Sequence, residues 1–491
     1  MVSRALLFRP RQGDPAGDPR AGGFRAALAT LFPVAPDAPP AAGPLRDRAV
    51  RVYIEILAVL VAMAAMLFRV AHIPAWDLVY AEDNGVFLVG ALAHPWHLLT
   101  PFGGYLEFVP RVLGQIVSML PLRDAAIIYA FSGALIAALC ALFTYHASEG
   151  YIRSPWLRAM LGAALILLPL APIEMVDSGV TSPWYLLPTA FWAVMWRPRT
   201  RWGMLAAALM AFAVGSSEIV AIIYLPLLVI RVIALPRWRE HAVTIGFLLG
   251  LLLQVPPILS TYTQHGQRLS GHGSLLAAVQ FYFHNTVLRS VGWHLSWWLQ
   301  RPLGLNGATA LVGAFLVAVL AWVLITGNRQ VRVFAVLAIV IGFVQVIIVA
   351  SVPGPPGAGW VAKQVATPDF QPGSRYDAVP EMLLYATVII AVDVFIRRRG
   401  ALTTAPTPSP ERSWPGLRPW ALVAVAALTC ALAFSWVTDY RYYVPSRVSA
   451  GYWTTIEHRW LEACAKSTTG EISLSTWDAP DVSVPCSRIH G

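Results

Sequence analysis

Lysine is nearly missing from this chain: of 36 basic residues, only Lys363 and Lys466 are lysines. Charge of either sign is scarce, at 13% of 491 residues, where a soluble protein carries about 25%. So little charge cannot cover a water-soluble surface, which excludes an ordinary cytosolic enzyme. The four cysteines are widely spaced and form no Cys/His cluster, so no zinc-finger or iron–sulfur pattern is present. Walker and Rossmann glycine patterns are also missing, which argues against nucleotide-driven chemistry.

What is abundant is apolar. The chain is 57% hydrophobic, its mean hydropathy is +0.60, and apolar runs of membrane-spanning length recur. A net charge of +10 would suit nucleic acid, but the basic residues sit in short segments between apolar runs. That is the pattern of the positive-inside rule, and no nucleic-acid partner is expected. The chain reads as an all-α polytopic protein of a bacterial inner (cytoplasmic) membrane. Residues 1–50 are expected to form a disordered cytoplasmic tail, 51–438 the transmembrane unit and 439–491 an extracytoplasmic tail.

Eleven spans are expected: Val52–Val70, Ala125–Tyr145, Leu157–Leu170, Trp184–Trp196, Trp202–Val214, Ile219–Ile233, Val243–Leu259, Ala308–Ile325, Val333–Val352, Met382–Ile396 and Trp420–Val437. Arginine groups at 153/158, 197–201, 231–239, 329/332 and 397–399 then fall in alternate connections. All five lie inside if Leu106–Leu120 does not cross, so that stretch is expected as an amphipathic surface helix. This places the N-terminus inside and the C-terminus outside. The region Ser274–Arg301, rich in tryptophan, suits a re-entrant or surface helix. The long connections collect outside, and with them the expected site. Cys464 and Cys486 stand in the polar tail, where an oxidising compartment permits a disulfide; two free thiols are the alternative.

Within the first outer loop stands Trp76-Asp77-Leu78-Val79-Tyr80-Ala81-Glu82-Asp83-Asn84-Gly85. Carboxylates are costly beside a bilayer, so three within seven residues call for a reason. One reason is helix capping, since acids favour helix N-termini. The other is chemistry: Glu82 as a general base, with Asp83 orienting it or binding a divalent cation such as Mg, Mn or Ca. Asp77 is either a solvated loop residue or a participant.

A long first outer loop that opens with an acidic pair resembles the GT-C superfamily of membrane glycosyltransferases, which use polyprenyl-phosphate-linked sugars. Glu82-Asp83 stands where that superfamily carries its acidic pair. Gly104-Tyr105-Leu106 and Arg111 resemble the second half of the same loop in lipid A aminoarabinose transferases. Ser374-Arg375-Tyr376 ahead of Pro380 resembles an Arg-Tyr element of the late outer loop in bacterial members.

The resemblance implies an inverting transfer from a polyprenyl-phosphate sugar to a glycan or lipid acceptor, with surrounding membrane lipid as a further partner. Arg375 and Tyr376 are then the first choice for the phosphate, because an arginine fork matches phosphate oxygens. Lys363, Arg111 and Tyr105 are further candidates, each with a bland alternative as an interfacial or headgroup contact. His284, Arg289, Glu174, Asp177 and Glu218 could line the cavity or cap helices. A flippase for lipid-linked glycan and a polysaccharide polymerase or ligase are the competing functions. A flippase should show inverted repeats, and none is visible.

Overall fold

The computed structural model describes residues 19–34, 45–69, 73–80, 82–168, 175–176, 178–179, 181–265, 275–351, 375–401, 419–441, 451–474 and 481–489. Its helices are α1 Pro19–Ala29, α2 Leu45–Leu67, α3 Val89–Ala93, α4 Phe108–Ser118, α5 Ala125–Ala147, α6 Pro155–Ile166, α7 Ser182–Met195, α8 Arg201–Ser217 and α9 Leu225–Ala234. They continue as α10 Ala242–His265, α11 Leu275–Phe281, α12 Trp293–Thr326, α13 Arg329–Ser351, α14 Ala378–Ala401, α15 Pro419–Thr438 and α16 Trp453–Lys466. A helix overlies each of the eleven expected spans. Among the described residues α2, α5, α10, α12, α13 and α14 are long and apolar enough to cross a membrane. Helix α7 has only 14 residues, and every one is buried in the bundle.

Burial differs sharply along the chain. Helix α14 is the most enclosed of the long six and α2 the least, so α14 forms the centre of the bundle and α2 its lipid-facing flank. Helices α8 and α10 pack most closely. A Cβ at Gly250 would stand 2.5 Å from the Phe212 carbonyl, so only glycine allows the two backbones to approach this far. Small residues serve this purpose in membrane bundles, where close van der Waals packing replaces the hydrophobic effect.

Two sets of polar contacts mark the two ends of the bundle. At one end Arg197 pairs with Glu240, Arg397 with Asp393 and His146 with Glu55. This is the arginine end. At the other, the loop end, lie the first long connection, the α8–α9 junction and the start of α14. Each set joins connections that alternate along the chain. Helix α4, over the stretch expected as a surface helix, has 11 residues and buries Pro110, Gly114, Gln115 and Val117. Helix α12 bends at Gly304 (φ +68°) just after Pro302, which sets its tryptophan-rich first third apart from the spanning part.

Three features add to the expected outline. Residues 19–34 are not featureless: α1 leads to Leu31 and Phe32, both buried. Tyr151 Oη donates to the Leu31 carbonyl, and the Arg231 guanidinium lies 5.4 Å from the centre of the Phe32 ring. One small hairpin accompanies the helices. Strands β1 Glu471–Leu474 and β2 Val482–Pro485 pair antiparallel. They flank the Cys464–Cys486 disulfide, whose Cα atoms are 5.5 Å apart, within bridging range. Finally, this tail packs on the first loop. Trp453 is buried and its Nε1 donates to the Leu122 carbonyl at 2.8 Å. Val79, Leu88, Val89 and Leu92 of the first loop share one apolar cluster with Trp453, Ile472 and Val484 of the tail.

Candidate functional site

Two turns of unusual geometry build the site from the first loop. Asp83–Leu88 forms a π-helical turn, a feature that often marks functional sites. Asp83 is buried inside it. Its Oδ2 accepts from Ser178 Oγ at 2.7 Å and from the Gly179 amide at 2.9 Å. The aspartate therefore ties this turn to the chain ahead of α7, and its neighbour Glu82 is presented at the turn's start.

The second turn is Phe102-Gly103-Gly104-Tyr105. Phe102 and Tyr105 exchange backbone hydrogen bonds of 2.8 and 3.2 Å, with φ of +58° at Gly103 and +90° at Gly104. Two successive positive φ values are the mark of a type I′ turn and demand glycine. The next residue is clamped from α10: Gln254 Oε1 accepts from the Leu106 amide at 2.7 Å and Nε2 donates to its carbonyl at 2.9 Å. Ser217 Oγ accepts from the Val109 amide at 3.0 Å, which fixes the start of α4 against the end of α8. Tyr105 and Glu107 flank the clamped residue, and Glu218 follows Ser217. The sequence folds so that three separate segments deliver side chains to one place.

The fourth contribution comes from the start of α14. Arg375 Nη1 lies 3.7 Å from Glu82 Oε1, both groups largely shielded from solvent. These residues, 293 positions apart in number, are therefore neighbours. Arg375 also acts electrostatically on Glu107, Glu218 and Tyr105. Tyr105 Oη donates to Glu107 Oε1 at 3.0 Å. Glu218 accepts from the Val220 amide at 3.2 Å, capping the turn that leads to α9. Tyr376 packs edge-on against Trp184, with ring centres 4.9 Å apart, and its carbonyl accepts from Gln345 Nε2 at 3.1 Å.

Burial governs the protonation of these acids. It pushes the Glu107 carboxyl up to about 8, with Glu218 and Glu82 adding to the rise and Arg375 and Tyr105 opposing it. Burial likewise lifts Glu218 to about 7, against the Val220 amide and Arg375. The Tyr105 hydroxyl is raised well above its usual range, first by burial and then by Glu218 and Glu107. Groups that titrate near neutrality are what proton chemistry at physiological pH requires.

The remaining candidates separate clearly. Arg111 sits beside the cluster on α4, over the Phe87 ring at 5.4 Å. It donates to the Pro101 carbonyl at 3.2 Å; burial lowers it to about 10 and Glu107 works against that. Asp77 lies elsewhere: its Oδ1 accepts from the Thr454 amide at 3.0 Å and Oδ2 from the Thr454 hydroxyl at 3.3 Å. It caps α16 and holds the tail. His284 contacts Thr309 Oγ1 at 3.0 Å, and Arg289 lies over Trp293. Lys363, Glu174 and Asp177 fall outside the described residues. Glu107 is the site residue that the sequence reading passed over, although the cost of a carboxylate opening an apolar helix was visible.

Among the described residues no three His, Cys, Asp or Glu side chains converge as ligands, and Asp83 Oδ2 is already shared by two donors. A separate apolar cavity of about 580 Å³ opens between α12, α14 and α15. Ser290, Tyr385 and Ser435 are its polar members, and Phe315, Trp322 and Phe395 are among its walls.

No protein-family model matches the chain, and no curated protein matches it. Among solved structures, ArnT from Cupriavidus metallidurans in the apo state is similar at 12% identity, over 90% of this chain and 99% of that one, with a TM-score of 0.31.

Proposed function

We propose that the protein is an inverting membrane glycosyltransferase that moves a sugar from a polyprenyl-phosphate donor to a glycan or lipid acceptor of the cell envelope. The observation that carries this reading is the Glu82–Arg375 pair. A glycosyl phosphate already holds a good leaving group. It needs positive charge for the phosphate and a base for the attacking hydroxyl, and the pair supplies one of each. At 3.7 Å the contact is looser than a charged hydrogen bond, so a phosphate can take over the guanidinium and release the carboxylate.

The acceptor oxygen then attacks the anomeric carbon from the face opposite the phosphate. The carbon–oxygen bond to the phosphate breaks, its electron pair leaves on the phosphate oxygen, and Glu82 takes the hydroxyl proton. Opposite-face attack inverts the anomeric centre, by the logic of inverting glycosidases. Tyr105, Tyr376, Arg111 and Lys363 are further candidates for substrate contact. The apolar cavity beside α14 has the lining that a polyprenyl chain requires. The arginine distribution favours the loop end as the outer face of the inner membrane.

The test is to incubate the purified protein with a panel of polyprenyl-phosphate sugars and measure released lipid phosphate. Release from at least one donor, lost in Glu82→Gln, is the expected result. No release from any donor, with or without envelope acceptors, would overturn the reading.

A further inference from the structure

Three carboxylates, Glu82, Glu107 and Glu218, face two arginines at the loop end. If all three were ionised the site would carry net negative charge, and a donor phosphate would add more. Glu107 is the group whose geometry resolves this conflict. It is 7% exposed. Its Oε1 receives the Tyr105 hydroxyl. Its Oε2 is buried and has no hydrogen-bond partner among the described residues. A buried carboxylate oxygen with no donor is costly, because nothing replaces the water it lost. A protonated Oε2 has a different need: an acceptor, which a substrate oxygen can supply.

We propose that Glu107 serves as a neutral hydrogen-bond donor, its Oε2–H reaching a phosphate oxygen of the lipid-linked donor that Arg375 also holds. This rests on the reading of Arg375 as the phosphate-binding group. The surroundings support it. The titratable and charged groups around Glu107 are Tyr105 in its own loop, Glu82 from the π-helical turn, Arg111 from α4, Glu218 from the end of α8, and Arg375 ahead of α14. With Glu107 neutral, one negative charge fewer faces an incoming phosphate beside Arg375 and Arg111. Its burial, which lifts the carboxyl to about 8, keeps that state populated at neutral pH. No proton is transferred in this role. Glu107 binds, and Glu82 remains the base.

The experiment measures binding of a sugar-free polyprenyl phosphate to the full-length protein between pH 6 and pH 9.5, beside infrared detection of the protonated-carboxyl stretch. Wild type should lose about tenfold in affinity from pH 7 to pH 9, as the acid form falls to about a tenth. Glu107→Gln should hold its pH 7 affinity within about threefold, because the amide also donates, and should abolish this alkaline loss together with the infrared band. Glu107→Ala should bind weakly at every pH. Glu218→Gln, measured in parallel, should leave the loss above pH 8 in place. Wild-type binding that is flat or tightens as pH rises would overturn the proposal, whether or not any variant folds. So would polyprenol binding as tightly as its phosphate. Proton-dependent phosphate binding without transfer from any donor would instead defeat the transferase reading and leave this one standing.

Discussion

At the arginine end Glu240, Asp393, Glu149 and Glu55 each have a basic partner of their own, whereas at the loop end Glu82, Glu107 and Glu218 gather around Arg375. Distance alone does not separate the ends: Arg197 Nε to Glu240 is 2.6 Å and Arg397 to Asp393 is 2.8 Å, but Arg158 to Glu149 is 3.7 Å, the same as Arg375 to Glu82; the difference is in how many acids share one base. The same residue types therefore serve two purposes in one molecule. One end uses ion pairs to finish the fold. The other leaves its acids under-partnered, and under-partnered groups are the ones a ligand can complete.

The comparison breaks first at Glu82. Glu82→Gln should cut turnover by about two to four orders of magnitude, the usual worth of a general base, while melting temperature and donor binding stay close to wild type. Full activity in this variant would move the base assignment to Asp83. Arg231 at the opposite end should behave in the reverse way. Its guanidinium donates to the carbonyls of Val194 at 2.6 Å and Trp196 at 2.8 Å, and each orphaned buried carbonyl costs about 1–3 kcal/mol. Arg231→Ala should lower thermal stability and yield, with unchanged turnover per folded molecule. A folded but inactive Arg231→Ala would erase the distinction between the two ends.

Arg375→Ala should weaken donor binding by about tenfold to a hundredfold, the range of a charged hydrogen bond, and reduce kcat as well. An effect on KM alone would make the contact a ground-state one. The smallest expected effect is on stability. Glu218 is raised to about 7 in the folded protein, so the unfolded chain loses its proton at lower pH than the folded one. Its contribution is fully present below the unfolded value and is lost as pH rises toward 7. Wild-type melting temperature should fall between pH 5 and pH 7.5. Glu218→Gln should flatten that fall by on the order of 3 kcal/mol at most, and an unchanged slope would refute the assignment.

Much of this was legible in the sequence. Apolar periodicity and alternating arginines located a helix under each of eleven runs, and the cost of carboxylates near lipid singled out Glu82. Glu82 and Arg375 were both named as candidates from the sequence, and they lie 3.7 Å apart. Glu107 escaped because it reads as the polar edge of an amphipathic helix; only the Gln254 clamp on Leu106 and the Gly103-Gly104 turn reveal its direction. Asp77 read as a solvated loop residue or a participant, and its role as a cap on α16 depends on a partner 377 residues away. The order in residues 19–34 was hidden by their composition, because the burial of Phe32 depends on α9 and not on its own neighbours.

The docking of the tail on the first loop also fixes an order of events in synthesis. Trp453 binds the carbonyl of a residue 331 positions earlier, and Val484 completes an apolar cluster begun by Val79 and Leu88. At about 5–20 residues per second, the ribosome needs on the order of half a minute to supply that partner. The loop carrying Glu82 is among the first to leave the ribosome and among the last to acquire its neighbours. Until the final residues arrive, that loop must wait with part of its apolar surface uncovered.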